Sequence, residues 1–240
     1  YGLRDAVWSA FKAKIVHPEY HGRAHIDVEG WMQALRDGEP TAMACLELGV
    51  TCGKGISNEY AGHIKRDLRP WIQKGVEAFH AEWGYFPATT VPPNNAGVCA
   101  IGEVWRRLGL MGADCRRVRN FSYGLKQGET KCNELNEDGL QAMERSEEMD
   151  LYLWKTLMAS DEEIRAKVDK EVGRPGDRFV LLSIHTQNFV SSTYHPKLRE
   201  WYQHALRLVL QHIQSYEDVI FLTSSELHQV RARGWSVEVW

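Results

Sequence analysis

Arg178-Phe-Val-Leu-Leu-Ser-Ile-His185 is the stretch of sequence that decides the predicted fold. It is a nearly continuous apolar run that ends in a histidine, a pattern typical of a parallel strand buried on both faces of its sheet. In folds of that kind, polar residues at the carboxyl ends of strands carry the chemistry. We therefore predict that His185 lies at the rim of a sheet as a catalytic acid, the alternative being a histidine satisfied by backbone groups.

Helix and strand patterns alternate on both sides of this segment. Apolar residues recur with helical spacing over residues 3–14, 58–83, 98–108 and 196–215. Short strand patterns cover residues 88–91, 110–118 and 219–223. Such alternation with short connections implies parallel strands joined by right-handed crossovers. The sequence thus predicts an α/β fold that forms a single domain over residues 1–240.

Charge, hydropathy and cysteine content limit the kinds of partner and the cellular compartment that we expect for this chain. The chain has 240 residues and a formal net charge of −3, with acidic and basic residues interspersed, which argues against nucleic acid as a partner. No apolar stretch reaches the length of a membrane span. The five cysteines are an odd number without tight spacing, so we expect partly buried thiols rather than a disulfide framework. Cysteines of this kind favour a cytoplasmic location without establishing it. The oligomeric state is left open.

His21-Gly-Arg-Ala-His25 contains two imidazoles four residues apart. On one side of a helical turn, that spacing brings two side chains within about 5–6 Å at their Cβ atoms, close enough to share one divalent ion. Two unrelated loop histidines are the alternative interpretation. A catalytic zinc site also needs a third protein ligand and an open position, so the pair alone is incomplete.

Val91-Pro92-Pro93-Asn94 follows the strand pattern at residues 88–91. Rigid prolines there fix the direction of the backbone at a rim, and a stiff turn without a further role is the alternative. We predict that Pro92, Pro93 and Asn94 contribute to substrate binding, together with Asn188 in the polar segment after His185.

Taken together, these motifs resemble the polysaccharide deacetylase family, carbohydrate esterase family 4. His21-Gly-Arg-Ala-His25 has the spacing of that family's His-[Ser/Thr]-x-x-His motif, with Gly22 in place of the hydroxyl residue. Leu182-Ser-Ile-His185 matches its Leu-x-Ile-His motif in full, whereas Val91-Pro92-Pro93-Asn94 matches only the prolines of Arg-x-Pro-[Tyr/Phe]. The likeness extends over roughly residues 15–230. Within the family, the chain is most similar to a divergent bacterial branch.

The resemblance implies a distorted (β/α) barrel, complete or incomplete, with parallel strands. It also implies metal-dependent removal of acetyl groups from a polysaccharide or cell-surface glycan, with His21 and His25 as ligands of zinc, cobalt or nickel and His185 as the acid. The family's Thr-Phe-Asp-Asp-Gly motif, which supplies a base and a third ligand, has no match here, and we expect it before Tyr1 in a longer protein. The alternative is an inactive or truncated deacetylase-like domain that binds carbohydrate.

Overall fold

The computed structural model describes residues 3–50, 59–60, 66–93, 98–115, 141–144, 159–173, 182, 184 and 196–233. Within these ranges the helices are α1 (Leu3–Lys12), α2 (Val28–Arg36), α3 (Pro40–Glu47), α4 (Arg69–Trp83), α5 (Val98–Arg107), α6 (Asp161–Val172), α7 (Pro196–Gln214) and α8 (Ser224–Ala232). The strands are β1 (Thr89–Thr90), β2 (Gly112–Cys115) and β3 (Gln141–Glu144). The chain divides into two compact units, Tyr1–Glu144 with Leu222–Trp240, and Arg145–Phe221. The prediction of one domain over residues 1–240 stays a prediction.

The three strands form one short parallel sheet in the order β1-β2-β3. Tyr20 adds an isolated parallel bridge to Thr90, and the Val91 N–H donates to the Tyr20 carbonyl over 3.0 Å. The carboxyl ends of parallel strands meet at one edge of a sheet. The chain that follows Tyr20 and the chain that follows β1 therefore leave the sheet at the same edge.

The prediction of a (β/α) barrel is wrong. The described residues are mostly helical, and their strands are only two to four residues long, which is too little sheet to close into a TIM-like barrel. The strand expected at residues 219–223 is also wrong, because that segment is irregular in the structure. Most of the segment 178–185 lies outside the described residues, so the strand predicted there stays a prediction.

One hydrophobic core of the first unit lies between α4, α5 and the sheet. Its most buried side chains are Tyr20, Tyr60, Ile72, Val76, Ile101, Trp105 and Leu110. Pro70 starts α4 rather than bending it, because a proline in the first helical turn needs no N–H partner. Gly75 lets α4 approach Tyr20, since an added Cβ would lie 3.1 Å from the Tyr20 Cζ.

The last helix of the first unit begins with a reciprocal cap. The Thr223 N–H donates to Glu226 Oε2 over 2.7 Å, and the Glu226 N–H donates to Thr223 Oγ1 over 3.2 Å. Thr223 is thus the capping residue of α8. The Thr223 N–H and then the Thr223 hydroxyl, which both donate to the Glu226 carboxylate, hold the pKa of Glu226 below its usual value. Helix α8 also lies against the sheet, because a Cβ added at Gly112 would overlap the His228 ring.

Helices α2 and α3 form a smaller cluster around Trp31, Ala42 and Cys45. Asp27 caps α2, and its side chain accepts from the Gly30 N–H over 3.1 Å. Cys45 is disulfide-bonded, which contradicts the expectation of unpaired thiols for this residue. Its partner is not among the side chains that the structure describes.

The second unit is built on α6 and α7, which pack around Ile164, Val168, Tyr202, Ala205 and Val209. A capping box opens α6, with Ser160 and Glu163 bonded to each other's backbone N–H. Two histidine–aspartate pairs join the helices on their exposed side. His204 contacts Asp161 over 2.7 Å, and His212 contacts Asp169 over 2.6 Å.

Asp169 also accepts a hydrogen bond from the Tyr216 hydroxyl, and this bond predicts how the stability of the second unit depends on pH. The Tyr216 hydroxyl and then His212 lower the pKa of Asp169, whereas the hydrogen bond to Asp169 raises the pKa of Tyr216 to about 12. A carboxylate with a lowered pKa contributes stability above its unfolded pKa and loses it as the pH falls through its folded pKa. A phenol with a raised pKa contributes stability below its unfolded pKa and loses it as the pH rises through its folded pKa.

We therefore expect Tyr216→Phe to lower the free energy of unfolding at about pH 7, and the difference from wild type to shrink in acid, as the pH falls through the lowered pKa of Asp169 and its carboxylate becomes protonated. Denaturant unfolding at about pH 7 and at a series of lower pH values measures the difference. In an Asp169→Asn background the same substitution should have little effect, because the two side chains act as one pair. An equal loss in both backgrounds would show that the hydrogen bond contributes nothing.

Candidate functional site

The two histidines of the predicted metal site lie on a turn at the carboxyl edge of the short sheet. His21 follows Tyr20, which bridges to β1, and the turn continues to His25 just before α2. Both side chains are exposed, and their ring centroids are 5.1 Å apart with the planes inclined at 59°. The predicted proximity is therefore present, although the segment is an irregular turn and not the helical turn from which the spacing argument began.

Backbone conformation brings the two rings together. His25 has φ +62° and Gly22 has φ +91°, so the chain passes twice through the left-handed region within four residues. Such a conformation is uncommon for a residue other than glycine and is found disproportionately at functional sites. Contacts with neighbouring residues must therefore offset the free-energy cost of this left-handed backbone conformation at His25.

The buried side chain of Glu59 provides that support. Only 2% of its surface is exposed, and its carboxylate accepts from the N–H groups of Arg23, Ala24 and His25 over 2.8–3.0 Å. The Trp71 indole N–H donates to Oε1 over 2.7 Å. A buried charge is tolerated when it is fully hydrogen-bonded, and here three successive backbone N–H groups point at one carboxylate. Glu59 therefore fixes the shape of the turn that carries both histidines.

Gly22 is required by the same arrangement. A Cβ at this position would lie 2.8 Å from Pro93 Cγ and closer still to Glu59 Oε2. The serine or threonine that the resembled family has here would collide with both neighbours. Glycine at position 22 therefore lets the turn lie directly against Glu59 and Pro93.

The Val91 carbonyl orients the His21 ring. His21 Nδ1 lies 2.6 Å from the Val91 oxygen, and since a carbonyl can only accept, Nδ1 carries the proton. In the neutral ring the lone pair is then on Nε2. Metal-binding histidines commonly donate from one ring nitrogen to a carbonyl in this way, which fixes the tautomer and aims the other nitrogen.

Of the four residues predicted to bind substrate, only Pro92 and Pro93 lie among the described residues. Both are buried, and Pro93 packs against Gly22, which places these prolines under the turn. Asn94 and Asn188 lie outside the described residues, as does the predicted acid His185. Their roles stay predictions.

The described side chains fit part of a metal site. His21 and His25 offer two imidazoles on one turn, and imidazole suits zinc, cobalt and nickel. Within the described part of the chain, no group of three histidine, cysteine or acidic residues is placed to hold a metal ion. Asp27, the acidic residue that follows this turn by two positions, caps α2 and pairs with Arg66.

A pocket of about 290 Å³ adjoins the turn. Arg23 and Glu59 line it from the side of the turn, and Arg66, Trp71 and Lys74 line it from the start of α4 and the residues before it. The Arg23 guanidinium lies over the Trp71 ring, 4.3 Å from its centroid. The pattern of the sequence singled out neither this pocket nor Glu59.

Comparison of the chain with protein-family models, with curated proteins and with solved structures found no match. The geometry of the turn and the motifs of the sequence are therefore the basis for proposing a function. In the described part of the chain, no helix has both the length and the apolar character needed to cross a membrane.

Proposed function

We propose that this chain is a metal-dependent hydrolase that removes N- or O-linked acetyl groups from a polysaccharide or cell-surface glycan. One observation carries the proposal: two imidazoles are held side by side on an exposed turn, and a buried carboxylate and a backbone carbonyl fix that turn. The motif resemblance at His21, His25 and His185 points to the same chemistry.

His21 and His25 would hold the divalent ion, probed with zinc, cobalt or nickel. When bound, such an ion polarises the acetyl carbonyl and lowers the pKa of a coordinated water. The chain's own residues would do the rest. Val91 holds His21 in the tautomer that presents Nε2, and Glu59 maintains the backbone of the turn. His185 would donate a proton to the departing amine or alkoxide. The third ligand and the base are not among the described residues.

Acetate release from N-acetylated chito-oligosaccharide tests this proposal. We expect release that requires added zinc, cobalt or nickel and that is abolished by chelator. His185→Ala should lower kcat by about 10²-fold or more while zinc binding is retained, because the loss of a general acid affects the chemical step. Binding of the oligosaccharide without acetate release, in the presence of each metal, would favour the alternative of a non-catalytic carbohydrate-binding relative.

A further inference from the structure

Three side chains of different chemistry converge on one atom in the second unit. Oδ1 of Asp169, on α6, lies 2.6 Å from His212 Nε2, and the Tyr216 hydroxyl donates a hydrogen bond to the same oxygen. The ring centroids of His212 and Tyr216, four residues apart, are separated by 5.7 Å. The Asp169 and His212 side chains are 53% and 22% exposed, so an ion from solvent can reach the point at which a carboxylate, an imidazole and a phenol meet.

A second histidine–aspartate pair on the same two helices shows that the phenol is an addition. Asp161 and His204 lie eight residues earlier on α6 and α7 and make the same contact over 2.7 Å. The residue four positions after His204 is Leu208, which is buried in the core between the helices. Joining α6 to α7 therefore needs only a histidine and an aspartate, and the phenol of Tyr216 calls for a separate explanation.

The donor set of this cluster suits iron. Imidazole nitrogen is a good ligand of iron, carboxylate oxygen favours hard ions, and tyrosine oxygen also serves as a protein ligand of iron. Around an ion with bonds of about 2.0–2.1 Å, two ligands at a right angle are about 2.9 Å apart. The contact between His212 and Asp169 would need to open by only roughly 0.3 Å to accept such an ion.

The proton on the phenol selects the charge of the ion. The hydrogen bond to Asp169 raises the pKa of Tyr216 to about 12, so near neutral pH the ion must displace the phenol proton before it can bind. The attraction between an ion and a phenolate grows in proportion to the charge of the ion, which favours a trivalent ion over zinc. His212 would move its proton from Nε2 to Nδ1, so the only proton lost is that of Tyr216.

We propose that Asp169, His212 and Tyr216 form a binding site for ferric iron on the exposed side of the α6–α7 pair. The carboxylate, Nε2 of the imidazole and the phenolate would be its three protein ligands. This site lies within the second compact unit, whereas the two histidines of the turn belong to the first, and it does not depend on the proposed function.

Titration with ferric nitrilotriacetate at about pH 7, followed by visible absorbance, tests the site. We expect one iron ion per chain, a phenolate-to-iron charge-transfer band and affinity that falls as the pH is lowered. Tyr216→Phe should abolish the band, and Asp169→Asn and His212→Gln should each weaken iron binding by about tenfold or more. Asp161→Asn and His204→Gln, at the matched pair without a phenol, should leave the band and the affinity unchanged.

Iron bound without the charge-transfer band, or a band of undiminished intensity in Tyr216→Phe, would overturn the inference. Circular dichroism shows whether each variant is folded, and resonance Raman excitation of the wild-type band should reveal phenolate vibrations without any substitution. Displacement of the iron by an equal concentration of zinc would also overturn it, because the charge of the ion would then not matter. A variant with both His21→Ala and His25→Ala should keep the band, and loss of the band there would place the iron at the turn instead.

Discussion

Glu59→Gln is expected to lower the free energy of unfolding by about 3 kcal/mol and to weaken zinc binding at the turn by about 10- to 100-fold. Glutamine has nearly the same shape, but one of its two terminal groups is an amide nitrogen that cannot accept. At least one of the four N–H groups that now converge on the carboxylate would then face a donor. The backbone of His25 would lose the support that holds it at φ +62°. Denaturant unfolding and zinc titration measure the two effects.

Glu82→Gln is the matched control for this prediction. Like Glu59, Glu82 accepts from a tryptophan indole N–H, that of Trp8 over 3.0 Å; its other partner is the Arg4 guanidinium. It lies at the surface, where water replaces lost partners, so we expect a much smaller loss of stability and unchanged zinc binding. Comparable losses in the two variants, or full zinc affinity in Glu59→Gln, would show that the buried carboxylate does not organise the histidines.

Gly22→Ser is expected to destabilise the turn by about 3 kcal/mol or more and to abolish zinc binding, although serine is what the resembled family carries here. Two effects add. A residue with a Cβ is strained at φ +91°, and the Cβ itself would overlap Glu59 Oε2 and crowd Pro93. The turn could accommodate serine only by moving away from Glu59, which would separate the two imidazoles.

Gly84→Ser separates the backbone strain from the steric overlap of the added Cβ. Gly84 ends α4 at φ +81° and has no atom within 4 Å of an added Cβ, so serine there meets only the backbone strain, about 1 kcal/mol. Thermal or denaturant unfolding of both variants provides the comparison. If Gly22→Ser costs no more than Gly84→Ser and still binds zinc, then Gly22 is not constrained by Glu59 and Pro93.

Local patterns predicted the helices well, and the reasons are physical. The capping box at Ser160, the cap at Asp27 and the proline that starts α4 are each specified by residues within one turn of the helix end. The sheet was overestimated because short apolar runs such as residues 219–223 satisfy a strand pattern without a neighbouring strand to pair with. Strand pairing depends on distant segments, and periodicity carries no information about them.

In the candidate site, too, the sequence predicted what depends on neighbouring residues and missed what depends on distant ones. The spacing of His21 and His25 was visible in the sequence, whereas Glu59, 34 residues beyond His25, carries no local pattern that links it to them. The two rings lie close together, but two left-handed residues and a buried acceptor, not a helical turn, produce this proximity. Gly22 offered a signal: a glycine in place of a hydroxyl residue indicates a close approach, here by Glu59 and Pro93.

Zinc titration of the chelator-treated protein by calorimetry tests the central claim most directly. We predict one zinc ion per chain in the wild type and in His204→Ala, a surface histidine of the second unit, and binding weaker by about 100-fold or more in both His21→Ala and His25→Ala. Zinc binding with unchanged stoichiometry and affinity in both His21→Ala and His25→Ala would contradict the account.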